Sequence, residues 1–350
     1  MERGAMQDSA TPSVEAQPAL SIDAPVAAPR RRPLVLLARI SLSALMLFVL
    51  LHRMPHFRVE NLLPDWNRDT AMFLALALLF TLAGIVLSTL RWRAVLSALG
   101  QDAKLGDLLS HNLAGLFVSN VLPTTIGGDV LRVSRLSREN GESTTSFASV
   151  VLERLTGWLV LPVITLIGFL VNPGLRHLGS ATEVAIALAG GTLVALVAVL
   201  LGVASSRFGA RVADSDGWRR FAAAVHLGIE RLRRHPGAAL NVLLTGFAYQ
   251  LVLVIAALMA AKAVGMSVAV GPTALLAFFP AVLIAQVLPI AIAGLGVREG
   301  AFVLFLTPLG VPTEQAIALG LLLYLLNLGV SLLGAPAFAV GGRGRATLAA

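Results

Sequence analysis

An all-α polytopic membrane protein is the fold class this sequence predicts, on three observations. Of its 350 residues, 57% are hydrophobic and 13% charged, with a mean hydropathy of +0.82, too apolar for a soluble domain of this length. Six mostly apolar runs approach the length of about 20 residues that crosses roughly 30 Å of hydrocarbon. Finally, two stretches 166 residues apart read alike: Asn120-Val-Leu-Pro123-Thr-Thr-Ile126-Gly127-Gly128, leading to Arg132, and Gln286-Val-Leu-Pro289-Ile-Ala-Ile292, leading to Gly294, Gly296 and Arg298. A carboxamide precedes each proline and an arginine follows it at the same step. Breaks at corresponding positions of two hydrophobic halves are the sequence signature of a transporter binding site.

In chain order, residues 1–33 are rich in Ala, Pro and Ser and end in Arg30-Arg31-Arg32. They read as a disordered cytoplasmic tail, because the first long apolar run starts only at Leu34, too late for a cleaved signal peptide. A span over 34–51 opens a first membrane half, 34–205. The loop 52–70 mixes Arg53, Arg58 and Arg68 with Glu60, Asp65 and Asp69, and a second span takes 71–90. The apolar region 108–131 is broken by Pro123, Gly127 and Gly128; spans over 147–171 and 184–205 follow. The connector 206–238 carries apolar residues at Trp218, Phe221, Ala222, Val225, Ile229 and Leu232, with Arg219, Arg220, Arg231, Arg233 and Arg234 around them. It reads as a basic amphipathic cytoplasmic helix, either lying on an anionic leaflet or solvated and carrying topology charges. The second half, 239–340, holds a span over 239–261, a broken region 271–309 with Pro280, Pro289, Gly294 and Gly296, and a last span over 315–339; 341–350 form a cytoplasmic tail.

Each broken region is read as a re-entrant pair of short helices, since non-helical backbone is tolerated at membrane depth beside protein or a water-filled cavity. The positive-inside rule supports this. With both termini cytoplasmic, Arg91, Arg93 and Lys104, then Arg132, Arg135 and Arg138, then the arginines from Arg207 to Arg234, all fall inside. That requires the first broken region to enter from the cytoplasm and the second from the opposite face, inverting one half relative to the other. An eight-span alternative splits the second region into two crossings.

Basic residues number 27 against 19 acidic, yet they sit between apolar runs as topology signals, so nucleic-acid binding is not expected. With no cysteine there is no disulfide, thiolate metal site or cysteine nucleophile. His111 lacks a second ligand at metal spacing, so no metal or other cofactor is expected and a satisfied polar contact is the better reading. A G-x-x-x-x-G-K-[ST] loop, a G-x-S-x-G elbow and an H-E-x-x-H helix are all missing, which argues against an enzyme.

Ionisable residues at membrane depth are functional candidates by default. Asp129 and Arg132 follow the first break, Arg298 and Glu299 the second, and Glu153-Arg154 lies in the span after the first. Glu153 and Arg154 point about 100° apart on a helix, so each seeks a partner elsewhere: Arg154 with Asp129, Glu153 with Arg132. The competing structural reading makes these charges buried pairs that fix helix register. In the functional reading, each break exposes N–H groups at the start of a half-helix whose positive end attracts anions. Arg132, Arg298 and Arg154 add forks suited to phosphate, while Asp129, Glu153 and Glu299 set the resting charge. Asn120 and Gln286 bond to each other, to backbone freed by the breaks, or serve as packing polar groups.

Phe117 to Arg132, then Glu153-Arg154-Leu155-x-Gly157, then Leu288-Pro289 with Ala293-Gly294-Leu295-Gly296-Val297-Arg298-Glu299-Gly300, resemble the transmembrane region of lysylphosphatidylglycerol synthases over roughly residues 35–340. This family includes stand-alone, flippase-like bacterial inner-membrane proteins. The resemblance implies translocation of a phospholipid or lipid-linked anionic head group, with membrane lipids as partners. The synthases carry a soluble aminoacyl-transferase domain after the membrane region, and this chain ends about ten residues beyond its last span. The expectation is therefore a translocating half without the synthesising half, with room for a separate lipid-modifying transferase. The alternative is a small-anion or proton-coupled solute carrier built on the same broken helices.

Overall fold

The computed structural model describes residues 66–121, 127–204, 216–266, 270–287 and 294–340, together with Ser41 and Leu45. The expected span over 34–51, both tails, and the breaking prolines Pro123 and Pro289 lie outside the described residues. Every described element is helical. Helix α1 runs over Arg68–Ala98, α2 over Leu105–Val121, α3 over Gly127–Asn140, α4 over Ser143–Val171, α5 over Ser180–Ala204 and α6 over Asp216–Arg234. Helix α7 runs over Pro236–Ala263, α8 over Pro272–Val287, α9 over Val297–Leu306, α10 over Thr313–Leu332 and α11 over Gly334–Val340. Among the described residues, α1, α4, α5, α7, and α10 with α11 are long and apolar enough to cross a membrane. The chain is thus an all-α polytopic membrane protein, and these five match the expected spans from 71–90 onward. Leu79, Leu170, Val194, Leu201 and Leu244 lie exposed on them, as a lipid-facing surface requires.

Both interrupted regions are antiparallel hairpins. In the first, Gly128 of α3 lies against Ser119 and the Gly115 carbonyl of α2, Arg132 against Gly115, and Glu139 beside His111, so α3 runs back along α2. In the second, Gly294 sits beside Gln286, Phe302 stacks on Phe279 at 6.2 Å and Phe305 on Phe278 at 5.3 Å. At about 1.5 Å per residue, the 17 and 14 residues of α2 and α3, and the 16 and 10 of α8 and α9, fall short of the roughly 20 residues a crossing takes. Length therefore favours hairpins over extra spans. The first is closed by near contact of glycines, whereas the second rests on aromatic stacking worth about 0.5–1.5 kcal/mol per pair beyond burial.

The repetition extends far past the motif. Shifted by 166 residues, α1 falls on α7, α2 on α8, α3 on α9, and α4 on α10 plus α11, each within a few residues. Helices α1 and α7 pack antiparallel. Phe73 faces Lys262, Gly84 faces Leu253 and Tyr249, and Arg91 lies above Tyr249 and beside Gly246. The helix after each hairpin seats on the hairpin of the other half: Gly168 of α4 against the backbone of Ala277 in α8, and Gly334 of α11 against the Leu113 carbonyl in α2. These two glycines are also 166 residues apart. A Cβ at either would overlap main chain, so only glycine allows the crossing to be this close.

From residue 222 onward, helix α6 packs its apolar face on protein. Ala224 is buried against Ala94, Val95, Leu99, Ala148, Leu152 and Val242, Val225 is fully buried, and Gly228 abuts Leu152, while Arg231, Arg233 and Arg234 stay exposed. Over 222–232 the expected apolar stripe is present and protein covers it at Ala224, Leu227, Gly228 and Leu232; the side chains of Trp218 and Phe221 lie outside the described ones.

Candidate functional site

The first hairpin delivers Asp129 and Arg132 to α4, and α1 brings in Arg91 and Trp92. Glu153 lies at the centre, its side chain 3% exposed. One carboxylate oxygen accepts from Arg91, with Nε at 3.1 Å and Nη2 in closer contact; the other faces Arg132 Nη1 at 3.3 Å. The same Nη1 lies 3.6 Å from Asp129, and Arg154 Nη2 donates to Asp129 at 2.9 Å. Both pairings expected from sequence, Arg154 with Asp129 and Glu153 with Arg132, are therefore formed. Asp129 sits in the first turn of α3, where the helix dipole favours a negative charge.

The surroundings are shaped to hold this chain of charges. The Arg132 guanidinium lies 4.1 Å over the Trp92 ring, and Trp92 Nε1 donates to Ser149 Oγ at 3.0 Å, locking the indole. Arg91 stands 4.9 Å over Tyr249. Gly157 makes room for Arg91 and Gly115 for Arg132: a Cβ would come within 2.8 Å of Arg91 Nη1 and 3.0 Å of Arg132 Cγ respectively. In all, three guanidiniums meet two carboxylates. Among the described residues, Arg91 Nη1 and Arg132 Nε and Nη2 are buried without a hydrogen-bond partner.

The second hairpin is simpler. Gly294 and Gly296 both take left-handed backbone, φ 73° and 85°, which turns the chain into α9. Glu299 accepts from the Gly296 N–H at 2.6 Å, satisfying an orphan donor at the helix start. Its other oxygen accepts from Arg298 Nε at 3.2 Å and Nη2 at 2.8 Å. Glu299 is fully buried, with Gly320 close against it, and Arg298 lies 5.3 Å over Tyr324.

Among the described residues, no hydrogen bond or ion pair joins the two clusters; α3 packs on α4, and α9 on α10. Nor do the carboxamides meet, for Asn120 donates to the Leu116 carbonyl of its own helix at 3.1 Å, while Gln286 packs beside Gly294. His111 Nε2 lies 3.0 Å from the Glu139 carboxylate, yet neither ring nitrogen makes a hydrogen bond among the described residues, short of the satisfied polar contact expected of it. Among the described residues there is no grouping of His, Asp and Glu fit to hold a metal.

Residues 36–334 match the family described as the lysylphosphatidylglycerol synthase transmembrane region. The chain belongs to that family. This lysylphosphatidylglycerol synthase transmembrane-region protein is also similar to the UPF0104 membrane protein MJ1595 of Methanocaldococcus jannaschii, 29% identical over 110 residues, covering 30% of this chain and 33% of that protein. The chain thus matches about a third of the length of that curated relative. Within the family member described here, sequence reading missed Arg91, Trp92 and Tyr249. Arg91 passed as a topology charge beside Arg93. The available signal was its spacing of two helical turns from Gly84, which sets both on the face that meets α7.

Proposed function

We propose that this protein translocates a phospholipid or lipid-linked anionic head group across the bacterial inner membrane, with its termini cytoplasmic. The observation that carries the reading is a buried arginine just past the break of each of two hairpins, repeated at the same offset within two matching sets of helices. The antiparallel packing of α1 on α7 and the reciprocal glycine crossings support an inverted repeat, in which the hairpins enter from opposite faces. Arg132, Arg298 and Arg154 receive the head group and acyl chains remain in lipid; Asp129, Glu153 and Glu299 hold the arginines in the empty protein. In this reading the chain is a transporter and no enzyme, and head-group modification belongs to a separate transferase.

The test is reconstitution in liposomes holding head-group-labelled lipids, following how fast label becomes accessible on the outer face. Wild type is expected to accelerate exposure and the Arg132→Ala/Arg298→Ala protein to lose that acceleration while still inserting. Equal movement by the double variant overturns the site. No acceleration of any lipid class by wild type favours a small-anion carrier instead.

A further inference from the structure

The two hairpin arginines differ in what occupies their forks. A guanidinium grips an anion best side-on, through Nε and Nη2 together. On Arg298 that edge is taken, since both atoms donate to one oxygen of Glu299. On Arg132 the same edge is unused among the described residues: Nη1 alone serves Glu153 and Asp129, and Nε and Nη2 are buried there with no hydrogen-bond partner. The sequence explains the difference, for Val133 stands where the second half has Glu299.

We propose that the Nε–Nη2 edge of Arg132 is an anion site for one singly charged phosphate group, and that Arg298 is its copy, plugged from within by Glu299. Three further features of the first cluster agree. Arg91 Nη1 is also without a hydrogen-bond partner among the described residues, and Arg91 shares the Glu153 carboxylate with Arg132. The cluster holds three guanidiniums to two carboxylates, an excess of one positive charge that a single monoanion cancels, whereas the Arg298–Glu299 pair is already neutral. The Trp92 face stacks the Arg132 guanidinium, so the free edge is held in a fixed plane. Buried unpaired donors are costly, and a ligand that satisfies them recovers that cost on binding. A phosphodiester supplies the matching chemistry: one negative charge and two unesterified oxygens. The inference rests on the head-group reading of this hairpin and narrows it to one half of the molecule.

The experiment transplants the plug. Val133→Glu sets a carboxylate after Arg132 as Glu299 follows Arg298, and Val133→Gln controls for size. Arg132→Lys keeps the charge and removes the fork, so it decides the matter if Val133→Glu does not fold. Binding of a short-chain phosphatidylglycerol, and separately of inorganic phosphate, is titrated on purified protein in uncharged detergent. Wild type and Val133→Gln are expected to bind at one site, and Val133→Glu and Arg132→Lys about tenfold or more weakly, the scale of one charge-assisted bidentate contact. Undiminished binding by Val133→Glu or Arg132→Lys, or no binding of either ligand by wild type, overturns the proposal. Binding of the lipid alone identifies a head-group site. Binding of free phosphate alone supports the anion site and overturns the lipid reading. Wild-type protein that binds the lipid but moves none in liposomes removes translocation and leaves the site; movement without binding removes the site alone.

Discussion

Glu153 neutralises two buried guanidiniums at once, so its removal strands both. Glu153→Ala is expected to cost about 3–5 kcal/mol, the range for an uncompensated buried charge, read as a large fall in Tm in detergent. Asp129→Asn is expected to cost about 1 kcal/mol or less, because Arg154, its closest partner, is half exposed and keeps its solvation. Equal losses would mean that Asp129 is as deeply committed as Glu153. At this scale the sequence was readable wherever a charge interrupts an apolar run, as at Glu153 and Arg298. It was opaque where a charge ends one. Arg91 and Arg93 flank Trp92 at the end of α1, and only packing shows that Arg91 turns inward while Arg93 turns out. Nor does sequence reveal that Arg298 closes on its neighbour while Arg132 reaches across to another helix, because side-chain torsions decide it.

The hairpins succeed as elements through close backbone approach in one and ring stacking in the other. Gly128→Ala places a methyl against Ser119 Oγ and the Gly115 carbonyl; prying α3 from α2 is expected to cost about 1–3 kcal/mol, as overpacking does. Gly190→Ala on α5, where a Cβ meets nothing within 4 Å, should leave Tm unchanged or slightly raised. Thermal unfolding of the two variants side by side checks this, and a matching loss at Gly190 would refute the close-contact account. The hairpins themselves were legible, because paired proline and glycine breaks inside apolar stretches have few other uses at membrane depth. The seat of α6 was not. Its amphipathic stripe announces that something covers Ala224 and Val225, but a lipid surface and a protein groove ask for the same periodicity.

For the whole molecule, the proposed inversion of one half relative to the other predicts which turns share a side. Since the chain has no cysteine, single cysteines can be introduced at Asp102 and Glu142 for the side proposed as cytoplasmic, and at Glu183 and Glu314 for the side proposed as opposite. An impermeant thiol reagent on intact spheroplasts is expected to label the latter two alone; labelling of Asp102→Cys and Glu314→Cys together would break the inversion. Only a dozen residues around each break betray the duplication in sequence. Elsewhere Leu, Val and Ala replace one another freely against lipid, so the correspondence of α1 with α7 or of Gly168 with Gly334 emerges only from geometry. The reciprocal seating of α4 on α8 and α11 on α2 also bears on ancestry. Half of this molecule made alone would leave its hairpin without a seat and its last helix without a groove. In the inverted reading proposed above, it could close only on a second copy inserted upside down, and a dimer of opposed orientations is the single-half forebear which that reading implies.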